Sequence, residues 1–280
     1  MSARTWARED RPRAAGRFRR IAHGLLAANA VWMFVFLYAP IVLLILFSFN
    51  DNAHALAVWS GFTLRWYDQL MKDPATGQAL RNSLIVALAS TAVSTIIGTM
   101  VALVMERHRF FGQTVFDALL YLPIIIPEVA MGLMLALFFG LMNIGLGLPT
   151  VIISHVAFNI SFVAVVVRAR LAGMGTTLEE AAQDLGANGL QTFWRITLPL
   201  MLPGIVAGAL LAFTLSLDDY VITVFTFGPG STTLPIRIFG MVKKGVSPDV
   251  NALSTLIMLA AMVLVVLSLV LQRGGEKKAS

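Results

Sequence analysis

The sequence predicts an all-α integral membrane protein with six transmembrane helices, on three observations. Of the 280 residues, 58% are hydrophobic and only 13% are charged, with a mean hydropathy of +0.80, whereas soluble domains carry about 25% charged residues. Six apolar runs are each long enough to cross the hydrocarbon core, which takes about 20 helical residues. The basic residues gather at the ends of these runs. Helix is expected because a span in lipid must satisfy its own backbone, and the runs lack the alternation of membrane β-strands.

The six runs follow a basic segment and fill most of the chain. Residues 1–24 are expected to form a basic tail, residues 25–272 the membrane domain and residues 273–280 a second tail. The first run exceeds the roughly 7–15 apolar residues of a signal peptide, which favours a retained helix. The expected spans are, in order, Leu25–Phe49, Asn82–Met105, Val115–Leu141, Pro149–Val167, Leu200–Leu217 and Ala252–Leu271.

The distribution of Lys and Arg predicts the orientation of these spans. Seven arginines precede the first run, and eight further basic residues fall in the segments on the same side, against six on the opposite side. Because cytoplasmic segments carry the excess of Lys and Arg, both termini are expected in the cytoplasm. The same orientation places the segment of about residues 171–199, between the fourth and fifth runs, in the cytoplasm.

That cytoplasmic segment is polar and helix-forming. Thr177 is expected to cap a helix whose first turn carries Glu179 and Glu180, where carboxylates favour the positive end of the helix dipole. Gly186 would turn the chain, since glycine adopts left-handed conformations without a Cβ penalty. A second short helix is then expected from about Leu190.

The same segment contains the pattern EAA-x3-G-x9-I-x-LP, complete at each defined position. The residues of the pattern are Glu180, Ala181, Ala182, Gly186, Ile196, Leu198 and Pro199. It resembles the cytoplasmic loop of membrane subunits in type I binding-protein-dependent ABC importers. The resemblance implies the six-helix transmembrane domain of such an importer, with this loop docked in a cleft of a separate ATPase subunit. The coupling residues would be Glu179, Glu180, Ala181, Ala182, Asp184 and Gly186.

Three acidic residues lie within or beside apolar runs and are candidates for a substrate pathway. Glu128 falls near the middle of the third run, after Pro123 and Pro127, which must disturb a helix there. Asp218 and Asp219 close the fifth run at its outer end. Since an ionised carboxylate in a bilayer costs several kcal/mol, such residues usually line a pathway, and all three could line one cavity open to the outside. The alternatives are a structural hydrogen bond for Glu128 and a place at the water interface for the two aspartates.

Further segments resemble polyamine importer permeases, closest to the second permease subunit of spermidine/putrescine systems. They are Ser48-Phe49-Asn50, Gly61-Phe62-Thr63, Trp66-Tyr67, Phe213–Asp219, Gly228–Pro235 and Gly245–Pro248. The intact GPGSTTLP stretch favours the putrescine branch.

This resemblance implies a permease that imports putrescine or spermidine by alternating access across the bacterial inner membrane. Its partners would be two copies of an ATP-binding subunit, a second homologous permease and a periplasmic substrate-binding protein, together with membrane lipid.

Motifs for other chemistry are absent from the sequence. Without a G-x-x-x-x-G-K-[ST] loop the chain is not expected to hydrolyse ATP, and neither a catalytic residue nor a cofactor is expected. The four histidines lack metal-ligand spacing, and His155 in the fourth run is expected to form an interhelical hydrogen bond. The basic residues form no single patch, which argues against nucleic acid. A permease for another small solute and a proton-coupled secondary transporter remain as alternatives.

Overall fold

The computed structural model describes residues 13–52, 58–245, 247–260 and 262–263, with side chains from residue 23 onward. Regular structure in this part is helical, apart from one isolated antiparallel bridge between Asn50 and Phe62. The all-α prediction is therefore confirmed for the described residues. The helices are α1 (Arg13–Phe47), α2 (Arg65–Lys72), α3 (Pro74–Arg107), α4 (Gln113–Ile125), α5 (Glu128–Leu141), α6 (Leu148–Ala172), α7 (Thr177–Asp184), α8 (Gly189–Thr192), a π-helical turn (Phe193–Thr197), α9 (Leu198–Asp218), α10 (Val221–Thr226) and α11 (Leu234–Lys243).

Four helical stretches are long and apolar enough to cross a membrane. They are His23–Phe47, Pro74–Arg107, Leu148–Ala172 and Gly189–Asp218. These stretches confirm the first, second, fourth and fifth predicted spans, with α3 and α6 extending beyond the predicted ends. Residues 248–260 are helical, but most of the predicted sixth span, Ala252–Leu271, lies outside the described residues, as do residues 1–12 and 273–280 of the predicted tails.

The third predicted span is broken into α4 and α5, which meet at a bend of 107°. The break falls at Pro127, which has no N–H to donate and forces Ile126 into an extended conformation with ψ 134°. Pro123 stays inside α4, so only one of the two prolines breaks the helix. Counting the bent pair as one span gives up to five among the described residues, and most of the predicted sixth span lies outside them.

The chain divides into two compact units, and the first consists of residues 1–68 and 246–280. In this unit the segment after α1 folds back on itself. The Trp66 Nε1–H donates to the Asn50 carbonyl at 2.8 Å, and the Ser48 and Tyr67 hydroxyls lie 2.6 Å apart. The Phe49 and Phe62 rings stack at 5.3 Å. The three short motifs that carry the polyamine-permease resemblance in this region therefore form one cluster.

The second unit, Gln69–Gly245, is built on α3, α6 and α9, which pack against one another. Small residues let the helices approach closely, as is usual in membranes. A Cβ on Gly98 of α3 would lie 2.8 Å from the Val163 Cβ, and one on Gly204 of α9 would lie 2.7 Å from the Arg170 Cβ. The buried core here is apolar, formed by Ala102, Val163, Val167, Leu171, Met201 and Ala212.

The bent pair α4–α5 carries the chain from one end of this bundle to the other. Asp117 of α4 pairs with Arg168, close to the C-terminal end of α6. After α5, the Leu146 carbonyl lies against Gly228, beside the N-terminal end of α6, so closely that a Cβ on the glycine would sit 1.9 Å from the oxygen. Gly132 of α5 also packs against α10, where a Cβ would meet the Phe225 ring at 2.7 Å.

Asp73 caps the first turn of α3. Its carboxylate accepts the N–H groups of Ala75 and Thr76 at 3.1 Å and the Thr76 hydroxyl at 2.5 Å, and it pairs with Arg237 at 2.9 Å. These bonds, the Thr76 hydroxyl first, hold the pKa of Asp73 below its ordinary value despite partial burial. The cap thus joins the start of α3 to α11.

Candidate functional site

The segment between α6 and α9 folds into two short helices, α7 and α8, around Gly186. Gly186 has φ +90°, and the Ala187 N–H bonds back to the Ala182 carbonyl at 3.0 Å, so glycine provides the turn that the sequence predicts. The predicted cap at Thr177 is wrong by one residue. Thr176 is the N-cap, and its carbonyl accepts the first helical bond from Glu180 without a side-chain cap.

The second short helix, α8, begins with a capping box that the sequence analysis missed. The Asn188 side chain accepts from the Gln191 N–H at 2.9 Å, while the Gln191 side chain accepts from the Asn188 N–H at 3.0 Å. The N-x-x-Q spacing was a readable signal for this start. The reciprocal bonds fix where the chain leaves the turn at Gly186.

Most of the predicted coupling residues lie on the exposed side of this segment. Glu180, Ala181, Asp184 and Gly186 are exposed, and Ala182 is half-buried. Large apolar side chains share the exposed side, with Leu185 90% accessible. The other exposed apolar side chains are Leu178, Leu190 and Trp194. An apolar patch on an otherwise polar segment is typical of a surface that another protein covers.

Glu179 points the other way and ties α7 to the bundle. Its Oε1 accepts from Arg107 Nη2 at 3.0 Å and from the Thr197 hydroxyl at 3.0 Å, and the same Arg107 nitrogen donates to the Gly175 carbonyl at 2.9 Å. The side chains of Arg107 and Glu179 are only 14% and 17% exposed. Sequence reasoning missed Arg107 and Thr197, because nothing in the pattern pairs residues 72 positions apart.

A second ion-pair group lies at the same end of α3. Arg168 Nε pairs with Glu106 at 3.1 Å, and its Nη1 pairs with Asp117. Arg168 therefore joins the ends of α3 and α6 to the start of α4. Two consecutive residues at the end of α3, Glu106 and Arg107, thus serve two different ion pairs.

Glu128, the first predicted pathway residue, lies immediately after the break between α4 and α5. It is the first residue of α5 and is exposed. The neighbouring Ile125 and Val129 are exposed apolar side chains, so Glu128 is a carboxylate on an otherwise apolar surface. A cavity of about 310 Å³ fills the elbow of the bent pair. Its lining is apolar, and it includes none of the three predicted acids.

The two aspartates at the end of α9 have different surroundings. Asp218 is exposed, whereas the side chain of Asp219 is only 9% exposed. Asp219 accepts from the Ile222 N–H at 3.2 Å, from the Thr223 N–H at 2.8 Å and from the Thr223 hydroxyl at 2.7 Å. Its carboxylate closes the break between α9 and α10 by satisfying the first turn of α10.

His155 connects this break to the interior of the bundle. Its Nε2 lies 3.2 Å from Asp219 Oδ2, and its Nδ1 lies 2.5 Å from the Ser216 hydroxyl, which lies 2.8 Å from the hydroxyl of Ser90. The predicted interhelical hydrogen bond of His155 is confirmed. The chain of bonds links α3, α6, α9 and α10 through buried polar side chains.

Comparison with known proteins assigns the family. Residues 94–279 match the family described as "Binding-protein-dependent transport system inner membrane component". The chain belongs to this family. It is 42% identical over 252 residues to the putrescine transport system permease protein PotI of Escherichia coli K12, covering 88% of this chain and 89% of that protein. It is 39% identical over 245 residues to the spermidine/putrescine transport system permease protein PotC of the same organism, covering 88% and 92%.

Solved structures support the fold. A bacterial ABC transporter for import of the acidic polysaccharide alginate has a chain that superposes with a TM-score of 0.73 at 19% identity, covering 94% of this chain and 99% of that one. The same kind of transporter in complex with an alginate-bound periplasmic protein gives a TM-score of 0.71. The protein thus has the fold of type I ABC importer permeases and is a multi-pass membrane protein of that family.

The family also distinguishes a transport subunit from an enzyme. Its relatives are permease proteins of transport systems, so the prediction of a transport subunit rather than an enzyme is confirmed, and ATP hydrolysis lies in a partner. Within the described residues, no group of three or more His, Asp or Glu side chains could hold a metal ion.

Replacing Asp219 with Asn should destabilise the protein, whereas the same change at Asp218 should not. The Asn side chain has only one accepting oxygen, and its NH2 group would face the N–H groups of α10 that now donate to the second carboxylate oxygen. Leaving such a buried donor unsatisfied should lower the free energy of unfolding by about 1–3 kcal/mol. Asp218→Asn, as the matched control, should stay within about 0.5 kcal/mol of the unmodified protein. Thermal unfolding of the purified, detergent-solubilised variants measures both changes, and equal unfolding midpoints would contradict the structural role of Asp219.

Proposed function

We propose that this protein is a permease subunit of an ATP-driven importer that moves polyamine, with putrescine favoured over spermidine, from periplasm to cytoplasm. The observation that carries the proposal is the identity of 42% and 39%, over most of both chains, to proteins named as putrescine and spermidine/putrescine permeases. A second permease, two ATPase copies and a periplasmic binding protein would complete the transporter. ATP binding would switch the helices between outward and inward access.

The excess of Lys and Arg supports an orientation with both termini and the segment from α7 to α8 in the cytoplasm. The chain has no cysteine, so single cysteines report accessibility without background. A cysteine at Ala187 should react only with reagents that reach the cytoplasm, while one at Gly77, near the start of α3, should react from outside intact cells. Labelling of the Ala187 position by an impermeant reagent in intact cells would overturn this orientation.

The segment from α7 to α8 would dock on the ATPase. Its exposed side combines the carboxylates of Glu180 and Asp184 with the large apolar side chain of Leu185, and such a surface suits a protein partner better than water or lipid. The turn at Gly186 sets the angle between the two short helices. Movement of the ATPase would therefore reach the spans through a segment whose shape depends on that turn.

Changing Gly186 to Val should uncouple ATP hydrolysis from uptake. At φ +90° a β-branched residue is strained, so the two short helices would change their relative angle. Glu180→Lys should have the same effect by reversing a charge on the docking surface. Gly240→Val is the matched control, because Gly240 lies in helix α11, outside the docking segment, and has open space around it.

The measurement is ATP hydrolysis by the reconstituted transporter, with and without putrescine-loaded binding protein, alongside uptake. Both test variants should reach the membrane, lose stimulation by the loaded binding protein and lose uptake, whereas the control keeps both. Stimulated hydrolysis at the unmodified level in both test variants would remove this segment as the ATPase contact.

Glu128 and Asp218 are the acids best suited to a cationic substrate. Both are exposed on helices of predicted spans, where an ionised carboxylate facing lipid is costly. Each therefore fits a surface that the second permease or a water-filled path covers. Ammonium groups leaving water need charge-assisted hydrogen bonds, and carboxylates provide them. Asp219 would add negative charge near the pathway without contacting the substrate, since its oxygens already accept hydrogen bonds from α10.

Replacing Glu128 with Gln should slow putrescine uptake substantially, because it removes the charge and keeps the size of the side chain. Glu128→Asp, which keeps the charge, should restore most of the rate. Asp218→Asn should have a smaller effect, because that site lies nearer water and is better screened. Uptake of labelled putrescine into proteoliposomes measures all three, and unmodified rates for both Glu128→Gln and Asp218→Asn would exclude these acids from the pathway.

A further inference from the structure

Helix α3 connects the two ends of the second unit without a break. It runs from Pro74 to Arg107, 34 residues, which corresponds to about 50 Å at 1.5 Å per residue. The only proline in this helix is Pro74 at its first turn, where the missing N–H does no harm. By contrast, the α4–α5 pair is broken at Pro127, and α9 contains Pro203 and ends at the break before α10.

The first end of α3 holds the loop of residues 228–234. Asn82 Nδ2 donates to the carbonyls of Gly230 and Thr232 at 3.0 and 2.9 Å, and the Ser83 hydroxyl accepts the Leu234 N–H at 2.8 Å. Asn82 and Ser83 are both buried. Buried hydrogen bonds of this kind fix the loop to the helix, because breaking them would leave unsatisfied polar groups. In the proposed orientation this loop lies on the periplasmic side.

Through Arg107, the second end of α3 holds the coupling segment, which consists of helices α7 and α8. One guanidinium nitrogen donates to Glu179 of α7 and to the carbonyl of Gly175, which precedes α7. The hydroxyl of Thr197, the residue before α9, donates to the same Glu179 oxygen. The pair is largely shielded from water, so it is screened less than a surface ion pair. Arg107 thus fixes α7 against the end of α3.

No other described span makes side-chain bonds to both of these segments. Helix α6 is joined to α7 along the chain by residues 173–176, which include Gly175 at φ +64°. α3 is therefore the described span whose side chains bond directly to both the loop of residues 228–234 and α7.

We propose that Arg107 is a positioning residue that clamps the coupling helix α7 to α3, and that α3 relays movement between the outer loop of residues 228–234 and the ATPase. Binding of the loaded binding protein outside would thus be sensed at the ATPase through this helix. The proposal rests on the proposed function, since it requires α7 to be the ATPase contact.

The test is the factor by which putrescine-loaded binding protein stimulates ATP hydrolysis by the reconstituted transporter. Arg107→Ala should lower this factor about fivefold or more, the low end of usual coupling between distant sites. Arg107→Lys keeps the ion pair with Glu179 and should retain most of the stimulation. Arg109→Ala is the matched control, because Arg109 is exposed and forms no ion pair among the described residues.

Two further variants separate a relay from a local structural effect. The charge exchange Arg107→Glu with Glu179→Arg re-forms the pair and should recover stimulation relative to Arg107→Glu alone. Asn82→Leu removes the bonds at the opposite end of α3 and should also lower the stimulation of ATP hydrolysis. Combining it with Arg107→Ala should lower the stimulation little further, because both changes interrupt the same connection.

The outcomes distinguish this proposal from the function on which it rests. If Arg107→Ala keeps full stimulation while Gly186→Val loses it, the relay is wrong and the coupling segment stands. If both keep full stimulation, the proposed ATPase contact itself is wrong. The relay would also be wrong if the charge-exchange variant lost as much stimulation as Arg107→Glu alone. It would likewise be wrong if the losses from Asn82→Leu and Arg107→Ala added in the combined variant.

Discussion

The carboxylate of Asp219 holds together the part of the second unit where helical structure is interrupted. A span that breaks within or near lipid leaves backbone groups that water cannot reach, so protein must satisfy them. Asp219 does this for the first turn of α10, and His155 connects it through Ser216 to Ser90. Four helices therefore meet at one buried polar network. The short helix α10 can then pack against α5 at Gly132, which positions the bent pair.

This constraint explains why two adjacent acids have different surroundings. Asp219 is enclosed and its oxygens accept backbone hydrogen bonds, while Asp218, one residue earlier at the end of α9, is exposed. The same division recurs in the segment from α7 to α8. Glu179 turns inward to Arg107, and Glu180 is exposed. In both pairs one carboxylate stabilises the fold while its neighbour stays exposed.

Much of the fold followed from composition and pattern. The apolar runs predicted four spans that the structure contains, and Pro127 predicted the disturbance of a further one, because a proline in a helix removes a donor and restricts the residue before it. The turn at Gly186 followed from the freedom of glycine. The cap at Thr177 was wrong by one residue, since Thr176 and Thr177 offer the same side chain and only the backbone distinguishes them.

The sequence by itself determined the class of protein, the position of most spans and the segment that carries the family pattern, because hydrophobic length and local backbone preferences are properties of neighbouring residues. Only the tertiary structure decided which polar groups meet. The pairing of Arg107 with Glu179, the bonds from Asn82 to the loop of residues 228–234 and the network at His155 each join residues 61 to 150 positions apart. Helix packing brings such groups together, and no local pattern in the chain records that proximity.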